Sequence, residues 1–158
     1  MTLSLLLPIF LTIHLTALTV LVGTTLIDYL SYRTFWKNVS IDQQRSAGML
    51  QLTAMFSRLA GIGAGLLIVT GIAMMAVTKG VFAEQLWFRI KFALIILLIL
   101  NSSLVGRKQN LRLRKAFVQM PVTPSAETQQ IRITLTRFHV VQLTILFTII
   151  VLSVFRFN

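Results

Sequence analysis

Two histidines are the residues of this sequence best suited to bind a metal or a cofactor, because the chain contains no cysteine. His14 lies within the uncharged segment 3–27, and His139 lies at the start of the apolar segment 138–157. An ionisable side chain inside hydrocarbon is costly and usually faces the interior of a helix bundle. We therefore predict His14 and His139 as metal ligands, with a structural hydrogen bond to a neighbouring helix as the alternative role.

Haem b is the cofactor that suits two histidines and few acids. Haem requires one or two axial ligands, an apolar slot and cations that pair with its propionates. Arg58, Arg89 and Lys91 lie near the ends of apolar segments, where their cationic groups can pair with carboxylates. Their alternative role is to extend toward the lipid headgroups. A hydrolytic zinc site would need three good ligands, and the four acidic residues of the chain are scattered.

Three further residues are predicted to line the cofactor site. Gln142 shares a polar stripe with His139, one helical turn away. Gly61 and Gly65 share a face with Arg58 and form a GxxxG pattern, which lets helix backbones approach closely. Tight helix packing is the alternative role for these glycines, and the pattern also allows a homodimer.

The composition determines which elements must position these residues. Hydrophobic side chains make up 56% of the sequence and charged ones 12%, and the mean hydropathy is +0.82. A soluble domain has about 45–50% apolar and about 25% charged residues. These values exclude an ordinary soluble enzyme, a disordered chain and a secreted disulfide scaffold. The net charge of +11 is compatible with nucleic acid binding or with a membrane protein that has basic loops.

Four apolar segments are long enough to cross a hydrocarbon core of about 30 Å. They cover residues 3–27, 59–77, 87–105 and 138–157. We therefore predict an all-α fold, an integral membrane antiparallel four-helix bundle, with the whole chain forming a single transmembrane domain.

The helices are predicted to extend past the membrane on its cytoplasmic side. Apolar residues at helical spacing before the second span predict a helix that begins at Asp42. The third helix is predicted to continue to about Phe117, because Pro121 and Pro124 interrupt the chain after it. Ser125 is the predicted start of the last helix.

The distribution of cations predicts the orientation. Most Lys and Arg residues lie in the connections after the first and third spans, over residues 33–58 and 107–137. Cytoplasmic loops of membrane proteins carry an excess of such cations. We therefore predict a bacterial cytoplasmic membrane protein with both termini outside and no nucleic acid partner. Anionic lipid headgroups are the expected partners of residues 107–115.

The two histidines are predicted to lie at different depths. At 1.5 Å per residue, their distances from the outer helix ends differ by about 12 Å. A haem that stands along the membrane normal needs its ligands at similar depth. A single histidine with a methionine, or a ligand from a second copy, is therefore as plausible as a histidine pair.

Several short motifs resemble the HemJ/CopD-like group of small four-span bacterial membrane proteins. They are His14 followed by Gly23, Trp87 followed by Lys91, the basic run 107–115, and Arg156 followed by Phe157. Proteins of the HemJ type act as protoporphyrinogen oxidases and are thought to bind haem b through the histidine of the first span. The resemblance implies that His14 is an axial ligand and that Lys91 is a catalytic cation.

Three functions are compatible with these features. The first is a haem-b-binding membrane protein with redox or porphyrin-linked activity; if it is an enzyme, we expect an oxidoreductase that acts on a porphyrinogen or a membrane electron carrier. The second is non-enzymatic transport of a metal ion or small solute, as in CopD-like proteins, and the third is a structural membrane subunit. A cation conduit usually needs carboxylates in its interior, so the scarcity of acids favours the first function over the second.

Overall fold

The fold is all-helical, as the sequence predicts. A computed structural model describes residues 2–39, 41–81, 84–119 and 126–155, and these residues contain helices and turns but no strand. The helices are α1 (Thr2–Asn38), α2 (Gln43–Val77), α3 (Leu86–Leu100), α4 (Arg107–Gln119) and α5 (Ala126–Val154), with a π-helical segment, Asn101–Gly106, that joins α3 to α4 without a break.

Four of these units are long and apolar enough to cross a membrane. They are Leu5–Asn38, Gln44–Val77, Leu86–Ala116 and Ala126–Val154, and they contain between 29 and 34 residues each. A span needs about 20 residues at 1.5 Å per residue, so each helix exceeds the thickness of the hydrocarbon core. The prediction of four long apolar helices is confirmed.

Local signals account for where the helices begin and end. Asp42 caps α2, because its carboxylate accepts a hydrogen bond of 2.9 Å from the backbone N–H of Arg45. The predicted start of the second helix is therefore confirmed. The third unit continues past the predicted Phe117 to Gln119, whereas the predicted break and restart over residues 121–125 lie outside the described residues.

Buried apolar side chains form two clusters at different heights of the bundle. One cluster contains Tyr32, Phe35, Leu113, Ile131, Leu135 and Phe138. The other contains Leu21, Leu98, Ile145, Leu146 and Ile149. Many other large apolar side chains face outward, such as Ile62, Val69 and Phe147, which are more than 60% exposed. Soluble proteins rarely expose continuous apolar surface of this extent, whereas lipid would cover it at no cost.

Gly63, which the sequence analysis did not select, lies in the contact between α1 and α2. A Cβ atom added to Gly63 would lie 3.3 Å from the carbonyl oxygen of Ala17. A Cβ atom added to Gly61 or Gly65 would have no described atom within 4 Å. Two residues correspond to a rotation of about 200° around a helix, so Gly61 and Gly65 point away from the face that carries Gly63. The GxxxG pair therefore makes no close contact with the described helices.

Candidate functional site

Two groups of polar side chains lie inside the bundle, and helix α1 contributes to both. We call the first the His14 cluster, which contains His14, Thr70, Lys91 and Ser153. We call the second the Asp28–His139 pair. His14 and Asp28 are fourteen positions apart in the sequence, which corresponds to about 21 Å along a helix axis.

Thr70 fixes the orientation and the tautomer of His14. The Thr70 hydroxyl donates its only hydrogen to the carbonyl oxygen of Leu66 at 2.6 Å. The Thr70 Oγ1 atom therefore accepts the hydrogen bond that joins it to His14 Nδ1 at 2.8 Å. It follows that His14 carries its hydrogen on Nδ1 and that Nε2 retains a free lone pair. This is the arrangement in which an imidazole can serve as a ligand to a metal or as a hydrogen-bond acceptor.

Lys91 approaches His14 from helix α3. Its ammonium group donates a hydrogen bond of 2.8 Å to Ser153 Oγ, and the Ser153 hydroxyl in turn donates to the carbonyl oxygen of Ile149. Lys91 and His14 line the same cavity, which has a volume of about 30 Å³ and lies where α1, α2, α3 and α5 meet. Every other side chain that lines this cavity is apolar.

His139 is almost completely buried, with an exposed fraction of 1%. Its Nδ1 atom lies 2.7 Å from the carbonyl oxygen of Leu135, and its Nε2 atom lies 3.3 Å from Oδ2 of Asp28. The ring of Tyr32 stacks on the imidazole at a centroid distance of 5.1 Å, and Phe138 meets it edge-on at 5.0 Å. An aromatic and acidic environment therefore encloses this histidine.

The contact between Asp28 and His139 was not among the sequence predictions. The signal that could have identified the pair was depth: Asp28 follows the predicted end of the first span, and His139 lies at the predicted start of the fourth. Antiparallel first and fourth helices would place these positions side by side.

The remaining predicted site residues lie apart from the central cavity. Gln142 is buried on α5 and accepts a hydrogen bond of 3.0 Å from the amide of Asn101, at the start of the π-helical segment. Arg58 and Arg89 are exposed, as are Gly61 and Gly65. Of the predicted site residues, the cavity therefore brings together His14 and Lys91 alone.

The two histidines are too far apart to bind one iron atom. His139 contacts Asp28, which lies about 21 Å along α1 from His14. The difference in depth is therefore larger than the sequence predicts. Among the described residues, no group of three or more His, Asp or Glu side chains could hold a metal ion.

The bundle interior does not fit haem as the helices stand. His14 has the free lone pair that an axial ligand requires, and Lys91 has the cation that a propionate would need. A cavity of about 30 Å³ is, however, about a tenth of the smallest typical ligand pocket, which is roughly 300 Å³. The donor chemistry is therefore suitable, whereas the volume is not.

Comparisons of the chain with protein-family models, with curated proteins and with solved structures find no match. The resemblance to the HemJ/CopD-like group therefore stays a prediction.

Proposed function

We propose that the chain is an integral membrane protein that binds a small monovalent anion in its central cavity and passes it across the bilayer. Lys91 carries this proposal, because it is the charged residue among those that line the cavity, and the other lining residues are neutral or apolar. Among the described residues, the ion pair joins His139 to Asp28, and no carboxylate of these residues pairs with Lys91.

Electrostatic interactions determine the sign of the charge on the favoured solute. A cation in apolar surroundings interacts strongly with nearby charges, because the local dielectric constant is low. The Lys91 ammonium therefore attracts an anion and repels a metal cation. The metal-ion form of the transport hypothesis is accordingly less favourable than the small-solute form.

The volume of the cavity determines the size of the favoured solute. A site needs about 10–15 Å³ to admit a water molecule, whose share of the liquid is about 30 Å³. The cavity of about 30 Å³ exceeds this minimum and therefore admits a particle about as large as one or two water molecules. A weakly hydrated halide meets this limit and also tolerates apolar walls, since it loses less solvation on entry than a multivalent anion would.

The proposed architecture is an antiparallel four-helix bundle that spans the bacterial cytoplasmic membrane, with both termini outside. Side-chain contacts support it, because positions that rise along one helix meet positions that fall along its partner: 91 and 101 meet 153 and 142, and 28 and 32 meet 139 and 132. These contacts join Lys91 to Ser153, Asn101 to Gln142, Asp28 to His139, Tyr32 to Arg132, and His14 to Thr70.

Exposed cations of α4 support the proposed cytoplasmic side. Arg107, Lys108, Arg112 and Lys115 are all exposed. We expect these side chains to contact anionic lipid headgroups, which attract basic residues near the surface by about 1 kcal/mol each.

Chloride efflux from proteoliposomes tests the transport proposal. The purified protein is reconstituted into chloride-loaded vesicles, a potassium ionophore balances the charge, and an external electrode measures chloride. We expect efflux well above that of empty vesicles. Lys91→Met should reduce it by about tenfold or more, because the loss of 1.4 kcal/mol of binding energy changes binding tenfold.

Lys79→Met is the matched control, since Lys79 lies in the exposed turn after α2 and is absent from the central cavity. It should leave efflux unchanged, and Lys91→Arg should restore much of the rate by returning the charge. Equal efflux from wild-type and empty vesicles would refute the proposal, as would a fully active Lys91→Met variant of normal helicity.

Haem binding is a second candidate, which the free Nε2 of His14 supports and the cavity volume opposes. Absorption spectra of the purified protein, before and after addition of haem, test it. A Soret band that is lost in His14→Ala would support this candidate and would require the helices to separate on binding. No band in the loaded wild-type protein would exclude it.

A further inference from the structure

The hydrogen bonds of His139 determine how many protons its imidazole and Asp28 hold together. His139 Nδ1 lies 2.7 Å from the carbonyl oxygen of Leu135. A carbonyl oxygen only accepts hydrogen bonds, so Nδ1 must carry a hydrogen. Without it, two lone pairs would face each other at this short distance.

The second ring nitrogen faces a carboxylate. His139 Nε2 lies 3.3 Å from Oδ2 of Asp28. In a neutral imidazole with hydrogen on Nδ1, Nε2 only accepts, and an ionised carboxylate also only accepts. The contact is therefore favourable only if a further proton lies between the two atoms. That proton belongs either to an imidazolium paired with a carboxylate or to a carboxyl group that donates to a neutral imidazole.

Burial favours this extra proton in both arrangements. His139 has an exposed fraction of 1% and Asp28 of 8%. Without the proton the pair would carry a net charge of −1, and a buried unpaired charge is strongly unfavourable. With the proton the pair is neutral overall. The second carboxylate oxygen, Oδ1, is buried and has no hydrogen-bond partner among the described residues, which further disfavours the bare anion.

The surrounding titratable and charged groups do not supply an alternative compensating charge. Tyr29 and Tyr32 of α1 face the imidazole with their rings, and the hydroxyl of Tyr32 donates to the backbone carbonyl of Arg132 at 2.8 Å. The guanidinium of Arg33 lies over the ring of Tyr29, and that of Arg132 lies over the ring of Trp36. On the side of the π-helical segment, the neutral amide of Asn101 lies 3.5 Å from the carbonyl oxygen of Phe138.

We propose that Asp28 and His139 form a proton-binding site inside the bundle, which holds one proton between Oδ2 and Nε2 at neutral pH. The site is separate from the central cavity, because Asp28 and His139 are not among the residues that line it, and Asp28 lies about 21 Å along α1 from His14.

Histidine nitrogen NMR and infrared spectroscopy of the full-length protein in lipid nanodiscs test this site directly. The chain contains two histidines, so a His14→Gln variant assigns their signals. It also contains two aspartates, Asp28 and the exposed Asp42, so carbon labelling of aspartate identifies their carboxyl bands. At neutral pH we expect either both nitrogens of His139 protonated, or Nδ1 protonated together with a carboxyl C=O band from Asp28.

Asp28→Asn and Asp42→Asn are the matched variants. In Asp28→Asn the carboxamide can donate to Nε2, so the extra proton and its spectroscopic signal should be lost while Nδ1 stays protonated. Asp42→Asn should change neither signal. A wild-type His139 with hydrogen on Nε2 alone would overturn the proposal, as would Nδ1 protonation without a carboxyl band. Because both readings come from the wild-type protein, the test stands even if Asp28→Asn does not fold.

Discussion

Adding one methyl group at Gly106 tests how closely the helices pack at this position. Gly106 ends the π-helical segment and packs against the ring of Phe138, the residue before His139. A Cβ atom at this position would lie 2.6 Å from Cζ and 2.8 Å from Cε2 of Phe138. Favourable carbon contacts lie at about 3.5–4.0 Å, so the ring would have to move by about 1 Å.

Two opposing effects determine how much Gly106→Ala changes the free energy of unfolding. Phe138 is buried in the cluster with Leu135 and Tyr32, so a displaced ring disturbs packed neighbours, and such overpacking costs about 1–3 kcal/mol. Alanine has a helix propensity better than that of glycine by about 1 kcal/mol. We therefore expect Gly106→Ala to change stability by about 0 to 2 kcal/mol in the destabilising direction.

Gly61→Ala is the matched control, because the same methyl group has no described atom within 4 Å there. It should stabilise the protein by up to about 1 kcal/mol. Reversible unfolding in mixed detergent micelles, followed by circular dichroism, measures both variants. Gly106→Ala should be less stable than Gly61→Ala by about 1–3 kcal/mol, and Phe138→Leu should reduce that difference in the double variant. Equal stability of the two alanine variants would refute the packing described here.

Two further substitutions test single hydrogen bonds. Tyr32→Phe removes the bond of 2.8 Å to the carbonyl oxygen of Arg132 and should reduce the free energy of unfolding by about 1 kcal/mol, measured in the same micelles. Asp42→Ala removes the cap of α2 and should cost about 1 kcal/mol, whereas Asp42→Asn should cost little because asparagine also caps helices; equal losses would argue against capping.

The number of long apolar helices and the start of α2 could be predicted from local patterns. The long apolar segments determine four helices, since an uncharged run of this length has few alternatives to a buried or membrane-spanning helix. Asp42 marks the start of α2 because a cap acts within three residues of itself. The π-helical segment Asn101–Gly106 was not predicted, because a wider helical turn depends on its neighbours and leaves no clear pattern in the sequence.

The face of each helix that packs against a neighbouring helix was harder to predict. The glycine that contacts α1 is Gly63 and not the Gly61–Gly65 pair, although all three have the same residue type. A GxxxG pattern indicates that another helix backbone can approach one face closely, but it does not indicate that this face contacts a neighbouring helix. Because the helices of this chain are apolar on all sides, the spacing of apolar residues does not indicate which face of a helix is buried.

The sequence by itself determined an all-helical chain with four long apolar helices and with His14 and Lys91 as polar residues within them. Its cations also supplied a predicted orientation. The tertiary structure alone brought His14 and Lys91 to one small cavity and Asp28 to His139. The physical reason is that helix formation depends on residues a few positions apart, whereas these contacts join helices that are distant in the sequence. Their geometry therefore depends on how the apolar faces pack, and no local pattern encodes it.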